Sequence, residues 1–346
     1  MCKTMKNKSA YVRIGERQFI ENFDVWEDAM ENMIQTVDYM TEVVMQEPKY
    51  EAIRRLCANK DAMCSQWAVE GHCESDELRE FMQNNCAPAC KVCEKTDRRI
   101  RCPVPEGLEK PSLNPGDLNK LFERLAKQDT YKTNILSQPS NDETDGPWII
   151  TIDDFLTSEE CDRLIVLGYD ERYERSTEVS SNNDGTFEPK HVSDARTSTT
   201  AWCENPNCYQ DPIVQNVVGK ISSLLEIPDA YGEHLQLLKY EEGQFYKRHH
   251  DYVRFDKFAN HGPRILTFFL YLNDPKDGGG TRFNDLELDV QPKRGMAVLW
   301  PSVLNDDPIE KDGRTDHEAL PVLKGIKYGA NAWYHLRNIK DMPECD

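Results

Sequence analysis

His249 and Asp251 stand two positions apart and are followed 66 residues later by His317, with Lys327 ten residues beyond that. On a β-strand, residues i and i+2 project from one face, so the pair can aim an imidazole and a carboxylate at one point while His250 faces away. A third ligand from a distant strand puts two imidazoles and one carboxylate on one side of a metal ion and leaves the remaining positions open. Such a site demands a fold that brings distant strand edges together. The pair alone carries little, because a chain with 8 histidines and 61 acidic residues makes His-x-Asp by composition. The flanking sequence adds weight. The runs from Leu235 to Leu238 and from Ile265 to Leu272 are apolar, β-branched and aromatic between polar or glycine-rich segments, as buried strands are. Lys327 offers a point charge for the carboxylate of an organic cosubstrate.

The segment from Trp148 to about Met342 resembles the collagen-type and the algal and plant prolyl 4-hydroxylases. The resemblance rests on Asp154-Phe155-Leu156 with Glu159-Glu160-Cys161, on Arg196-Thr197-Ser198, and on Tyr240-x-x-Gly243-Gln244-x-Tyr246-x-x-His249-x-Asp251-Tyr252. It continues through Arg264-x-x-Thr267, Tyr271-Leu272-Asn273, Gly278-Gly279-x-Thr281-x-Phe283, His317-x-x-x-Pro321-Val322-x-x-Gly325-x-Lys327 and Trp333-Tyr334-His335. The family relation implies a mainly β catalytic domain, a double-stranded β-helix or jelly roll with flanking helices. It implies Fe(II) held by His249, Asp251 and His317. Lys327 takes the distal carboxylate of 2-oxoglutarate, with Tyr240 and Thr281 in the cosubstrate pocket. Glu233, Tyr246, Arg264, Trp333 and His335 match positions that line a peptide groove. The implied reaction uses O2, converts 2-oxoglutarate to succinate and hydroxylates prolyl C4, with L-ascorbate restoring iron oxidised off-cycle. Two positions depart from the pattern, Arg248 for a common proline and Gly280 for a common glutamate, and neither removes a ligand.

Six of the 12 cysteines fall between residues 57 and 93: Cys57, Cys64, Cys73, Cys86, Cys90 and Cys93. So short a segment has little core of its own, and cysteine-dense modules of this size are stapled by disulfides in oxidising compartments. The ending Cys86-x3-Cys90-x2-Cys93 also fits zinc, but His72 beside Cys73 is the one candidate partner upstream. Spacing alone allows 15 pairings. With Trp67-Ala68, Gly71 and Phe81-Met82, the segment resembles a ShK-toxin-like (ShKT) domain. That resemblance implies Cys57–Cys93, Cys64–Cys86 and Cys73–Cys90. Cys203 and Cys208 suit a further bridge, Cys161 reads as a buried thiol, and Cys2, Cys102 and Cys345 are unassigned.

Phe19, Phe23, Trp26, Met30, Met33, Val37, Met40 and Val44 recur at steps of four and three before Pro48, an a/d stripe. Packing of this helix on its own chain is favoured over a coiled coil, while a homodimer or a partner subunit stays open. The expected order is an N-terminal helical segment (1–56), the six-cysteine domain (57–93), a proline-rich linker with one helix from Asp117 to Lys127 (94–146), and the oxygenase domain (147–342). The acidic loop from Asn305 to Asp316 fits either a mobile edge of the groove or a plain solvated loop.

A net charge of −19 argues against nucleic acid as partner and hence against an oxygenase demethylating alkylated bases. Lysyl hydroxylation and regulatory prolyl hydroxylation stay open as alternatives. A non-catalytic peptide-binding scaffold would lack a ligand or the anchor, and all four are present. No apolar run long enough for a membrane span and no secretory signal is visible after Met1, although the disulfides point to the endoplasmic reticulum lumen or the secretory pathway. The expected partner is a proline-containing peptide or protein. Asn7-Lys8-Ser9 is a lone glycosylation sequon.

Overall fold

Residues 14–97, 100, 103–139, 146–178, 191–192, 194–254 and 256–342 are described by a computed structural model. Cys2, Cys102, Cys345 and the Asn7 sequon lie outside the described residues. The chain divides into two units, one built mainly from Met1–Pro103 and one from Val104–Val179 and Pro189–Glu344.

In the first unit, helix α1 (Trp26–Asp38) runs into a π-helical turn (Tyr39–Val44), and the cysteine module contributes α2 (Cys64–Val69) and α3 (Arg79–Asn85). Disulfides join Cys57 to Cys93, Cys64 to Cys86 and Cys73 to Cys90. The core they enclose is small: Met40, Val44, Tyr50, Ile53 and Ala87 in one cluster, Met82 and Ala89 in another, with the cysteines filling the gaps. The a/d stripe does not pack as one face. Met40 and Val44 are buried, whereas Phe19, Phe23, Trp26, Met30 and Val37 are exposed. Ala29 and Thr36 are the buried residues of α1, and Asn32 donates from Nδ2 to the Ala89 carbonyl (3.1 Å). The small Ala29 admits the module closely, and the π-helical turn shifts the later stripe residues onto that face. Removing a buried bridge here, as in Cys64→Ser/Cys86→Ser, should cost about 2–4 kcal/mol of the module's stability. Urea unfolding followed by α1 helicity reads that loss.

The second unit places its strands, in chain order, at β1 (Thr133–Ser137), β2 (Ile149–Ile152), β3 (Glu174–Arg175), β4 (Thr199–Trp202), β5 (Gln236–Tyr240), β6 (Tyr246–His249), β7 (Arg264–Tyr271), β8 (Thr281–Phe283), β9 (Leu288–Val290), β10 (Ala297–Pro301), β11 (His317–Ala319) and β12 (Lys327–His335). An eight-stranded antiparallel sheet has the order β1-β2-β10-β7-β12-β5-β4-β3, and a four-stranded antiparallel sheet has the order β9-β8-β11-β6. Alternation along β7 shows how the layers form. Leu266, Phe268 and Leu270 join the core under the helices, while Phe269 and Tyr271 join Phe283, Val290 and Trp300 in the core between the sheets. This is the double-stranded β-helix arrangement.

Three helices cover the outer face: α4 (Asp117–Lys127), α5 (Ser158–Asp170) and α6 (Pro212–Leu225). Helix α4 turns Leu118, Leu121, Phe122 and Leu125 inward, and Phe122 stacks on Trp148 (5.5 Å), so residues before 147 also belong to this unit. Helix α5 starts at a capping box in which Thr157 Oγ1 accepts from the Glu160 amide and Glu160 Oε2 accepts from the Thr157 amide. Cys203 and Cys208 are bridged, and Cys161 is a buried free thiol whose pKa burial pushes up to about 11. No helix among the described residues is long and apolar enough to cross a membrane.

Candidate metal centre and groove

Strand register brings the distant histidines together: His317 at the start of β11 is the cross-strand partner of His249 at the end of β6. Asp251 lies two residues past the strand, in a bend, so the i, i+2 relation holds at a strand end and not within a ladder. The ligand atoms of His249, Asp251 and His317 lie within 4.8 Å of one another, with Asp251 Oδ1 3.9 Å from His249 Nε2 and Oδ2 3.6 Å from His317 Nε2. Both Asp251 separations are shorter than two metal–ligand bonds of about 2.0–2.2 Å laid end to end, so one ion can bridge the carboxylate to each imidazole.

The surrounding atoms fix each of the three side chains. His249 Nδ1 bonds the Lys247 carbonyl (2.8 Å) and His317 Nδ1 the Thr315 carbonyl (3.0 Å), which leaves both Nε2 atoms facing the site. Thr267 Oγ1 donates to Asp251 Oδ2 at 2.6 Å. Trp300 packs edge-on against His317 (4.8 Å) with Phe283 beside it, and Tyr246 stacks on His249 (3.5 Å) under the Arg196 guanidinium. Burial, and then the nearby His317, pushes the His249 pKa down to about 3, so its ring is neutral and its lone pair available near pH 7. Burial would raise the Asp251 carboxyl, but the two imidazoles and the Thr267 hydroxyl hold it well below the usual range. The chain therefore presents one carboxylate and two imidazole nitrogens, the set expected for a borderline divalent ion with open positions.

His250 turns away from the three ligands but is tied into the loop before His317. Its Nε2 lies 2.8 Å from the Asp312 carbonyl and 2.9 Å from Thr315 Oγ1, and its Nδ1 accepts the Tyr252 amide. Tyr252 in turn donates to the Ile309 carbonyl, so the 305–316 loop is bound to the segment after β6. Arg248 pairs with Asp316 and Asp285 at the surface, and its charge is thereby neutralised. Because Thr315 also orients His317, His250→Ala should weaken Co(II) binding by about tenfold, the low end for an outer partner. A chelator-competition titration measures this.

Lys327 is fully buried, its Nζ over the rings of Tyr240, Phe269 and Tyr271 at 5.2–5.3 Å. Among the described residues it has no acidic partner, and burial alone pushes its pKa down to about 7. Tyr240 is its cross-strand neighbour, and Thr281 Oγ1 is hydrogen-bonded to Tyr271 Oη (2.7 Å) in the same interior. A side chain at Gly279, which has φ +74°, would meet Lys327 Cδ at 3.2 Å, so glycine there lets the backbone pass close to the lysine. A Cβ on Gly280 is 3.1 Å from the Val290 carbonyl, which leaves little room for a larger residue.

Four of the five expected groove residues form one cluster. Arg264 Nε and Nη2 bind the Glu233 carboxylate (2.5 and 2.9 Å), His335 Nε2 lies 2.7 Å from Glu233 Oε1, and the Arg264 guanidinium lies over Trp333 (3.8 Å). Burial opposes ionisation of Glu233, yet Arg264 and His335 outweigh it and hold the carboxyl down at about 2. Tyr246 is apart from this cluster, at the metal end. Thr267, Thr315 and Trp300 carry no role in the sequence reading, because their contacts with the ligands are made across strands and loops.

Residues 235–335 match the 2OG-Fe(II) oxygenase superfamily, and residues 56–93 match the ShK domain-like family. Prolyl 4-hydroxylase 2 of Arabidopsis thaliana is 34% identical over 216 residues, 55% of this chain and 68% of that protein. Prolyl 4-hydroxylase subunit alpha-1 of Homo sapiens is 32% identical over 239 residues, 67% of this chain but 43% of that subunit's length. A viral collagen prolyl hydroxylase from Paramecium bursaria Chlorella virus-1, solved with 2OG, is 24% identical, with a TM-score of 0.42 over 54% of this chain and 95% of that one. With 34% identity across more than two thirds of the plant enzyme, this chain belongs to the prolyl 4-hydroxylase family of 2OG-Fe(II) oxygenases.

Proposed function

We propose that the protein hydroxylates prolyl residues at C4 in a peptide or protein, consuming 2-oxoglutarate and O2 and releasing succinate. The observation that carries this reading is Lys327, a buried cation without an acidic partner among the described residues, in the barrel interior that also holds His249, Asp251 and His317. An isolated buried charge is expensive to maintain, so the site is built for an anion that arrives from outside. In this reading the three ligands hold Fe(II), and Lys327 takes the distal carboxylate of 2-oxoglutarate with Tyr240 and Thr281 beside it. The bound ion supplies the open positions at which decarboxylation of the cosubstrate is coupled to reduction of O2. The chain's share is to fix the ligands through Thr267 and the Lys247 and Thr315 carbonyls, and to keep the site dry with Trp300 and Phe283. Glu233, Arg264, Trp333 and His335, with Tyr246, would set the peptide so that prolyl C4 faces the metal.

L-ascorbate would serve as reductant for a bound iron under this reading. The four disulfides among the described residues favour an oxidising compartment, the endoplasmic reticulum lumen or the secretory pathway. Succinate release is measured with Fe(II), 2-oxoglutarate and ascorbate, with and without a poly-proline peptide, alongside a mass search for one added oxygen. Peptide-stimulated succinate with hydroxyproline supports the proposal. Succinate without peptide stimulation rejects the substrate, and none in iron-loaded protein rejects the activity.

A further inference from the structure

A second convergence of donor atoms lies where the loop after β6 meets the end of β12. His261 Nδ1 and His335 Nδ1 are 3.0 Å apart, and the Gly262 carbonyl oxygen is 2.8 Å from each. Asp256 brings its carboxylate to the same place, so the donor atoms of Asp256, His261 and His335 all lie within 4.8 Å of one another.

The two imidazole nitrogens, the carbonyl oxygen and the carboxylate each carry a lone pair, so a single cation at their centre can take all four donors. A tetrahedral ion with bonds of about 2.0–2.1 Å holds its donors about 3.3 Å apart, so the 2.8 and 3.0 Å separations open by a few tenths of an ångström when it binds. His335 also has the partner that metal-bound histidines usually have, since its Nε2 is 2.7 Å from Glu233 Oε1.

We propose that Asp256, His261 and His335, with the Gly262 carbonyl, form a second divalent-metal site of the zinc class. Two imidazoles with two oxygens suit Zn(II) or Co(II) rather than the harder Mg(II) or Ca(II). Three donors come from the loop between β6 and β7 and the fourth from β12, so the ion fastens that loop to the main sheet. The Arg264 guanidinium is engaged by Glu233 in a bidentate pair.

The site does not depend on the function assigned to the first centre, and counting ions tests it. The full chain, stripped and reloaded with Zn(II), is analysed by native mass spectrometry and elemental analysis. The expected result is two ions in the unmodified protein. One is expected in His249→Ala/His317→Ala, and one in either Asp256→Asn or His261→Ala. Asp256→Asn is nearly isosteric, so it separates loss of a ligand from loss of the fold. If His249→Ala/His317→Ala binds none while the unmodified chain binds one, the second site is overturned and the first stands. Two ions retained in both Asp256→Asn and His261→Ala overturn the assignment to these residues, and no ion in any form overturns both centres.

Discussion

Asp251→Asn should lower Co(II) affinity by more than about a hundredfold and bring peptide hydroxylation below detection. The substitution preserves shape and removes the one charged donor of the three, so the loss exceeds the ten- to hundredfold typical of outer partners. His249→Ala and His317→Ala should match it, since each removes one of the two Nε2 atoms that face the ion. Thr267→Val gives the graded comparison. It keeps the packing and deletes only the 2.6 Å hydrogen bond to Asp251, so a ten- to hundredfold weakening is expected. Metal affinity is measured by competition with a chromophoric chelator, independently of turnover. Near-native affinity in Asp251→Asn would rule out this carboxylate as a ligand.

The difference between these partners in the sequence is one of range. His249 and Asp251 are visible because a two-residue spacing is local, and helix α4 because Leu118, Leu121, Phe122 and Leu125 mark one face of a single helix. The run from Ile265 to Leu272 anticipates β7 to within a residue, since a strand buried on both faces is a continuous apolar run. The pairing of His317 with His249, the Thr267 hydroxyl on Asp251 and the Arg264–Glu233–His335 cluster are all made across strands, and nothing local in the chain records them. The N-terminal stripe shows the opposite failure. Its periodicity is real, but the buried face is set by the small Ala29 and by the change of pitch after Asp38, which a heptad count does not register.

Lys327→Met should raise the dissociation constant of 2-oxoglutarate by about a hundredfold or more, the scale expected when one partner of a buried ion pair is removed. The same lysine sets a pH dependence. Burial holds its pKa at about 7 against an ordinary value of 10.5, so the neutral amine prevails as pH rises above 7, while an incoming carboxylate requires the ammonium. Affinity for 2-oxoglutarate in the unmodified protein should therefore weaken by about tenfold per pH unit above 7, until the pKa of the complex is reached. In Lys327→Met that slope should vanish. The cosubstrate-free protein should show the complementary effect. Between pH 7 and 10.5 the unfolded chain holds a proton on this lysine that the folded chain has lost, so stability rises with pH by about 1.4 kcal/mol per unit and levels off below 7. Removing the amine abolishes that penalty, so Lys327→Met should unfold at higher temperature than the unmodified protein at pH 7 when 2-oxoglutarate is absent. Saturating 2-oxoglutarate should reverse the order, because only the lysine form gains stability from the bound carboxylate. Calorimetry of the two proteins with and without cosubstrate reads both effects, and an unchanged order would show that the anion is held elsewhere.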